Sequence, residues 1–209
     1  MTTLFSVLFA VLVLMPPQDP PANEGALWQA ATPFPAFLEG VKARREQWQS
    51  RFANAAVEAD ALNRARALPG RRRVLAIAEG RCSDSAWAVP YLAKLAAAVP
   101  DRIELRVVTP AEGGARLQAA NLTPDGRKAT PTIVVLDEQD KILGTWVERP
   151  MELQKWYVEN KATVAQAERY SHLDKWYTDD AGRTTIAEVL AILERTEPKP
   201  RAAGSEEGK

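Results

Sequence analysis

The chain is 209 residues long and carries 27 basic and 27 acidic side chains, so its formal net charge is zero. Such a balance leaves no electrostatic footprint for a phosphate backbone, and no nucleic acid is expected as a partner. A single cysteine and a single histidine exclude an intrachain disulfide, a cysteine-rich zinc or iron–sulfur site and a histidine cluster, so neither metal nor cofactor is expected.

In chain order, Leu4 to Met15 is an apolar run closed by Pro16 and Pro17. A spanning helix needs about 20 apolar residues, so no stable membrane span is expected. The run suits the apolar core of a signal peptide over 1–22, with cleavage near Ala22. That predicts an exported protein, periplasmic or secreted; a buried N-terminal segment is the competing reading. Phe37, Val41, Trp48 and Phe52 then fall at helical spacing with charged residues between them, which predicts one amphipathic helix. Val57, Leu62, Ala65 and Leu68 extend the pattern to a stop at Pro69-Gly70.

The period changes at Val74–Ala78, a short continuous apolar run expected of a strand buried on both faces. Ser83 to Ala98 reads as a helix and Ile103 to Val108 as a second strand, a β-α-β unit of the right length for a parallel pair. Ala111 to Leu122 is a weaker helix containing Gly113-Gly114. Thr132–Leu136 and Ile142–Val147 are strands joined by the polar residues Asp137–Lys141, which predicts an antiparallel hairpin. Two helical stretches follow, one from Pro150 past Trp156 toward Tyr170, the other with Thr185 and Glu188 at capping-box spacing. Glu197 to Lys209 is rich in proline, glycine and charge and predicts a disordered tail over 197–209. The remainder, 27–196, is a single α/β domain with a mixed sheet and additional helices at either end.

One constellation carries chemistry. Cys82 lies just past the first strand, in Glu79-Gly80-Arg81-Cys82-Ser83-Asp84-Ser85, where the long helix begins. Backbone N–H groups and the helix dipole favour an anion there, and Arg81 adds positive charge, whereas Asp84 opposes both. Two readings stand side by side: a stabilised, reactive thiolate, or an inert sulfur with Ser83 or Asp84 capping the helix. Trp87 is the tryptophan expected to wall the site, the others being assigned mostly to the core. Arg71-Arg72-Arg73 is read as a solvated lead-in, His172 as a surface or capping residue, and Glu112-Gly113-Gly114 as too short for a phosphate loop.

The β-α-β then β-β-α order, the cysteine at a strand–helix junction, Pro90 within the helix and Thr130-Pro131-Thr132 opening a later strand resemble the thioredoxin fold. Three segments are similar to a bacterial subfamily of thioredoxin-like proteins: Cys82-Ser83-Asp84-Ser85, the stretch Asn121 to Arg127, and Lys175-Trp176-Tyr177. The resemblance covers Phe34 to Leu193. It implies a cis Thr130–Pro131 peptide facing the cysteine, with an open backbone edge that pairs with an extended peptide. This chain departs from the family at three places. Ser85 stands where thioredoxins carry a second cysteine, Arg81 replaces the usual tryptophan, and Val74–Ala78 lacks a buried carboxylate, Glu79 being the nearest substitute.

An intramolecular dithiol cycle needs two sulfurs and is excluded. The resulting expectation is an exported monothiol protein. Cys82 attacks a client disulfide or accepts a low-molecular-weight thiol, Ser85 at most donates a hydrogen bond to its sulfur, and Arg81 biases it toward thiolate. Thr130 and Pro131 align the backbone of a client protein or peptide. The alternative is a redox-inactive binding module that keeps the peptide edge without the chemistry.

Overall fold

The computed structural model describes residues 23–197. The expected export segment and nearly all of the expected tail lie outside them. Strands β1 (Thr32–Pro33), β2 (Arg72–Ile77), β3 (Ile103–Val108), β4 (Thr132–Leu136) and β5 (Ile142–Val147) form one mixed sheet in the order β1-β3-β2-β4-β5. β2 and β3 are parallel, joined through helix α5 (Ser83–Ala98); β4 runs antiparallel to both β2 and β5. The expected β-α-β unit and hairpin are therefore present. The hairpin turn is fastened by Asp137, whose carboxylate accepts from the Gln139 and Lys141 N–H groups at 2.8 and 2.9 Å.

Alternation along the strands sorts the core onto two faces of this sheet. Val74, Ala76 and Ala78 with Ile133 and Val135 meet one set of helices; Leu75 and Ile77 with Val134 and Leu136 meet another. On the first face lie α2 (Phe34–Gly40), α3 (Arg45–Asn54), α4 (Ala59–Arg66), α5 and α9 (Arg183–Leu193). The second face is covered by α1 (Glu24–Ala30), through Leu27 and Trp28, and by Leu117 of α6 (Ala115–Ala120). A third apolar cluster joins α7 (Met151–Asn160) to α8 (Gln166–Asp180) through Leu153, Leu173 and Tyr177, with Trp87 of α5 packed against it. That last cluster brings the C-terminal helices to the start of α5.

Several helix boundaries differ from those the sequence predicts. The single helix expected from Phe37, extended to Leu68, is three helices. α2 ends at Gly40, Arg44 takes a left-handed conformation (φ 56°) before α3, and a further break precedes α4. Helical spacing survives the first break because Phe37 and Trp48 meet edge to face across it, 5.3 Å between centroids. The weak helix at Ala111–Leu122 opens with a π-type turn, Pro110–Gly114, in which Gly113 takes φ 117°, and only then becomes α6.

The stretch predicted from Pro150 toward Tyr170 stops at Asn160, and α8 starts afresh at Gln166. The capping box expected of Thr185 and Glu188 does not form. Gly182 (φ 80°) caps α9, and Asp180 accepts the Thr184 N–H at 3.1 Å. Thr185 lies three residues past the cap, inside the helix, and is buried. Glu188 instead accepts from Trp146 Nε1 at 2.6 Å and the Met151 N–H at 2.9 Å. Gly182 cannot be replaced freely, since a Cβ there would lie 2.2 Å from the Tyr91 ring. Of the six tryptophans, Trp28, Trp48 and Trp146 are buried in the core, whereas Trp87, Trp156 and Trp176 are half-buried. His172 stacks on Trp156 with centroids 3.6 Å apart.

Candidate functional site

Cys82 is the N-cap of α5, in extended conformation (φ −75°, ψ 125°), immediately after the loop that leaves β2. That loop is pinned from α3 and its approach: Trp48 Nε1 donates to the Gly80 carbonyl at 3.0 Å and Arg44 Nε to the Arg81 carbonyl at 2.9 Å. Cys82 is half-buried as a residue. Its sulfur accepts from the Ser85 backbone N–H at 3.5 Å, the usual role of a capping side chain. Its own S–H donates to the Thr130 carbonyl at 3.0 Å.

The Thr130–Pro131 peptide is cis, as the resemblance implies. The loop bearing it is tied on both sides. Gln118 Nε2 donates to the Ala129 carbonyl at 3.0 Å, and the Glu148 N–H donates to the Pro131 carbonyl at 2.8 Å.

Cys82, Thr130, Arg81 and Trp87 all line one cleft of about 630 Å³. Trp87 stacks on Tyr177 (5.3 Å between centroids, 10° between planes) and donates through Nε1 to Asp174 at 3.1 Å. The Arg51 guanidinium lies over the Trp87 ring, 3.2 Å from its centroid, and burial lowers that guanidinium to about 10. Arg81 turns outward: its side chain is 79% exposed and pairs with Glu79 at 3.3 Å. Ser85 is 0% exposed, and its hydroxyl has no hydrogen-bond partner; only its N–H reaches the sulfur.

The most heavily bonded groups of the cleft are not singled out by the sequence. Asp84, read there as an opposing charge or a cap, is 7% exposed and accepts a two-pronged bond from Arg149 Nε and Nη2, both at 2.9 Å. Tyr177 OH donates to the same carboxylate at 3.1 Å. Arg149, which follows β5 and is 5% exposed, also pairs with Glu148 at 3.0 Å and lies over the Tyr157 ring. Glu148 in turn accepts from Arg127 Nη1 and Nη2 at 3.2 and 2.9 Å. Arg127 donates through Nε to Asp125 at 2.8 Å, and Lys161 reaches Asp125 at 2.6 Å.

Burial pushes the Asp84 carboxyl above its ordinary value, with Arg149 pulling the other way. Burial likewise raises the Tyr177 phenol, helped by the neighbouring Asp84 charge. The hydrogen bond from Arg127 holds Asp125 well below the usual carboxylate range. Asp125 and Arg127 sit in a segment the resemblance marks, as does Tyr177, but no local pattern reveals that Glu148 and Arg149 join them.

A separate groove of about 430 Å³, between β5 and α7, is lined by Trp146, Val147, Met151 and Val158 and does not include Cys82. Among the described residues no group of three or more His, Cys, Asp or Glu side chains is placed to hold a metal ion. None of the described helices is long and apolar enough to cross a membrane.

A thioredoxin family model matches residues 31–168. Two solved structures share the architecture over 83% of this chain and 98% of their own length. One is a protein of unknown function from Pseudomonas aeruginosa, 24% identical with a TM-score of 0.64. The other is an HIV epitope-scaffold, 22% identical with a TM-score of 0.63. No curated protein matches the chain.

Proposed function

The chain belongs to the thioredoxin family, and on that premise we propose that it carries out monothiol thiol–disulfide chemistry at Cys82. The observation that supports this reading is the place of Cys82 at the N-terminus of α5, lining with Thr130 a cleft of about 630 Å³. A client peptide laid along Thr130 and Pro131 brings its disulfide to the Cys82 sulfur.

In the first step the Cys82 thiol gives its proton to solvent, and the thiolate attacks one client sulfur. A new sulfur–sulfur bond forms, the client bond breaks, and the second client sulfur leaves as a thiolate that is then protonated. With Ser85 in place of a second sulfur, an external low-molecular-weight thiol attacks the mixed disulfide, takes over the client sulfur and returns Cys82 to the thiol. The proposal includes export through the segment 1–22, testable by following the full-length chain into the extracytoplasmic fraction. The test of the chemistry is capture of a peptide disulfide as an adduct on Cys82, with Cys82→Ser as the control.

A second reading is a redox-inactive peptide-binding module. It draws on the bond from the sulfur to Thr130, which engages the thiol within the protein. Under this reading Cys82→Ser leaves peptide binding nearly unchanged and no adduct forms on the native protein.

A further inference from the structure

The Cys82–Thr130 contact joins the start of α5 to the loop before β4, just beyond Ile77 and Thr132, the last paired residues of β2 and β4. A single run of charged hydrogen bonds reaches both. On the helix side, Asp84 follows Cys82 by two positions and is gripped by the Arg149 fork. On the loop side, Glu148 fixes the Pro131 carbonyl through its backbone and Arg127 through its carboxylate. Arg149 is the member that touches both halves, because it also pairs with Glu148.

The charges alternate along the run Asp84, Arg149, Glu148, Arg127, Asp125, Lys161. Arg149 is nearly buried, so its fork works at low dielectric and in a fixed geometry. The direct contacts of Cys82 supply no equivalent: the residue is half-buried and its sulfur has one carbonyl and one N–H partner.

We propose that Arg149 is a positioning residue for thiol–disulfide exchange, setting where the peptide-binding edge at Thr130 lies relative to the Cys82 sulfur. The inference rests on the monothiol reading. A reagent that needs only the sulfur does not use this alignment; a peptide that must lie on the edge while its disulfide meets the sulfur does. Loss of the fork therefore slows exchange with a peptide disulfide more than it slows simple alkylation. A purely structural part for Arg149 predicts a lower melting temperature with the two rates moving together.

The experiment compares wild type with Arg149→Met, Arg149→Lys and Arg127→Gln. Two second-order rate constants are measured on the full chain. One is for a short peptide bearing a cysteine–thionitrobenzoate disulfide, followed by thionitrobenzoate release; the other is for iodoacetamide. The expected result is a fall of about tenfold or more in the peptide-to-iodoacetamide ratio for Arg149→Met, the scale on which a small misplacement of reacting groups acts. Arg149→Lys, which keeps the charge but not the fork, recovers part of the ratio.

An unchanged ratio in a folded Arg149→Met protein, with wild type reactive toward the peptide, overturns the positioning role and leaves the monothiol chemistry standing. Failure of wild type to react with the peptide disulfide overturns both. If Arg149→Met does not fold, Arg127→Gln decides. It leaves the Asp84–Arg149 pair in place and loosens only the loop side, so a fall of about threefold in the ratio is expected and no fall overturns the inference.

Discussion

The sulfur of Cys82 donates to the carbonyl oxygen of Thr130 across 3.0 Å, although the two residues are 48 positions apart in the chain. The same sulfur caps α5 through the Ser85 N–H. Serine is among the best N-cap residues, so Cys82→Ser keeps the cap while removing the nucleophile. Thermal unfolding of this variant is expected to match wild type to within about 0.5 kcal/mol, while mass spectrometry finds no adduct with a peptide disulfide. An adduct that persists in the variant would place the reaction elsewhere.

Ser85 offers a second test. Its side chain is wholly buried one helical turn from Cys82, and its hydroxyl has no partner. Sulfur is less demanding of hydrogen bonds than oxygen, so Ser85→Cys is expected to fold. Under a mild oxidant the variant should form a disulfide between Cys82 and the introduced thiol, read as an intact mass lower by two hydrogens and loss of free thiol. Two thiols that stay free under the same oxidant would mean that this turn does not bring the sulfurs within bonding reach.

How legible was this site in the sequence? The strands of the βαβ unit and hairpin were, because their apolar runs and bounding polar residues are local signals. The helix boundaries were not. Phe37 and Trp48 face the same core on either side of the break after Gly40, so their spacing imitates one continuous helix. β1 is only two residues long and ends in proline, too short to leave a pattern. Cys82, Trp87 and Thr130 reach the cleft by their position beside elements the sequence does show. The Asp84–Arg149 pair spans 65 residues and is made by the fold alone, with no periodicity to announce it.

That pair is expected to matter for stability as well as geometry. Asp84→Ala strands a guanidinium that is 5% exposed. The expected loss is about 3 kcal/mol, the low end for breaking a buried pair, because Glu148 still engages Arg149. Replacing both partners, Asp84→Leu with Arg149→Met, removes the stranded charge but leaves the Tyr177 hydroxyl and Glu148 without these partners, and is expected to recover about 1 kcal/mol of that loss. Urea denaturation of the three proteins at neutral pH measures both. A double variant no more stable than Asp84→Ala would show that the pair itself is not the source of the loss.

Acid stability follows from the other end of the same network. Arg127 depresses the Asp125 carboxyl in the folded chain, so the ionised form binds the fold more tightly than the neutral form does. The resulting stabilisation is complete above the ordinary aspartate value of about 3.9 and is lost as pH falls through that value toward the folded one. Asp125→Asn is therefore expected to lower the urea midpoint at neutral pH and to flatten its decline between about pH 5 and pH 3. Parallel declines in the two proteins would remove Asp125 from the account.

The most direct measurement is the rate at which the native, full-length protein forms a mixed disulfide with an excess of a peptide disulfide, compared with the same protein in denaturant. A thiol presented in the cleft is expected to give an adduct on Cys82 under native conditions, released on addition of a small thiol. An adduct that forms only after denaturation would contradict the monothiol account and leave the Thr130–Pro131 edge as a binding surface without redox chemistry.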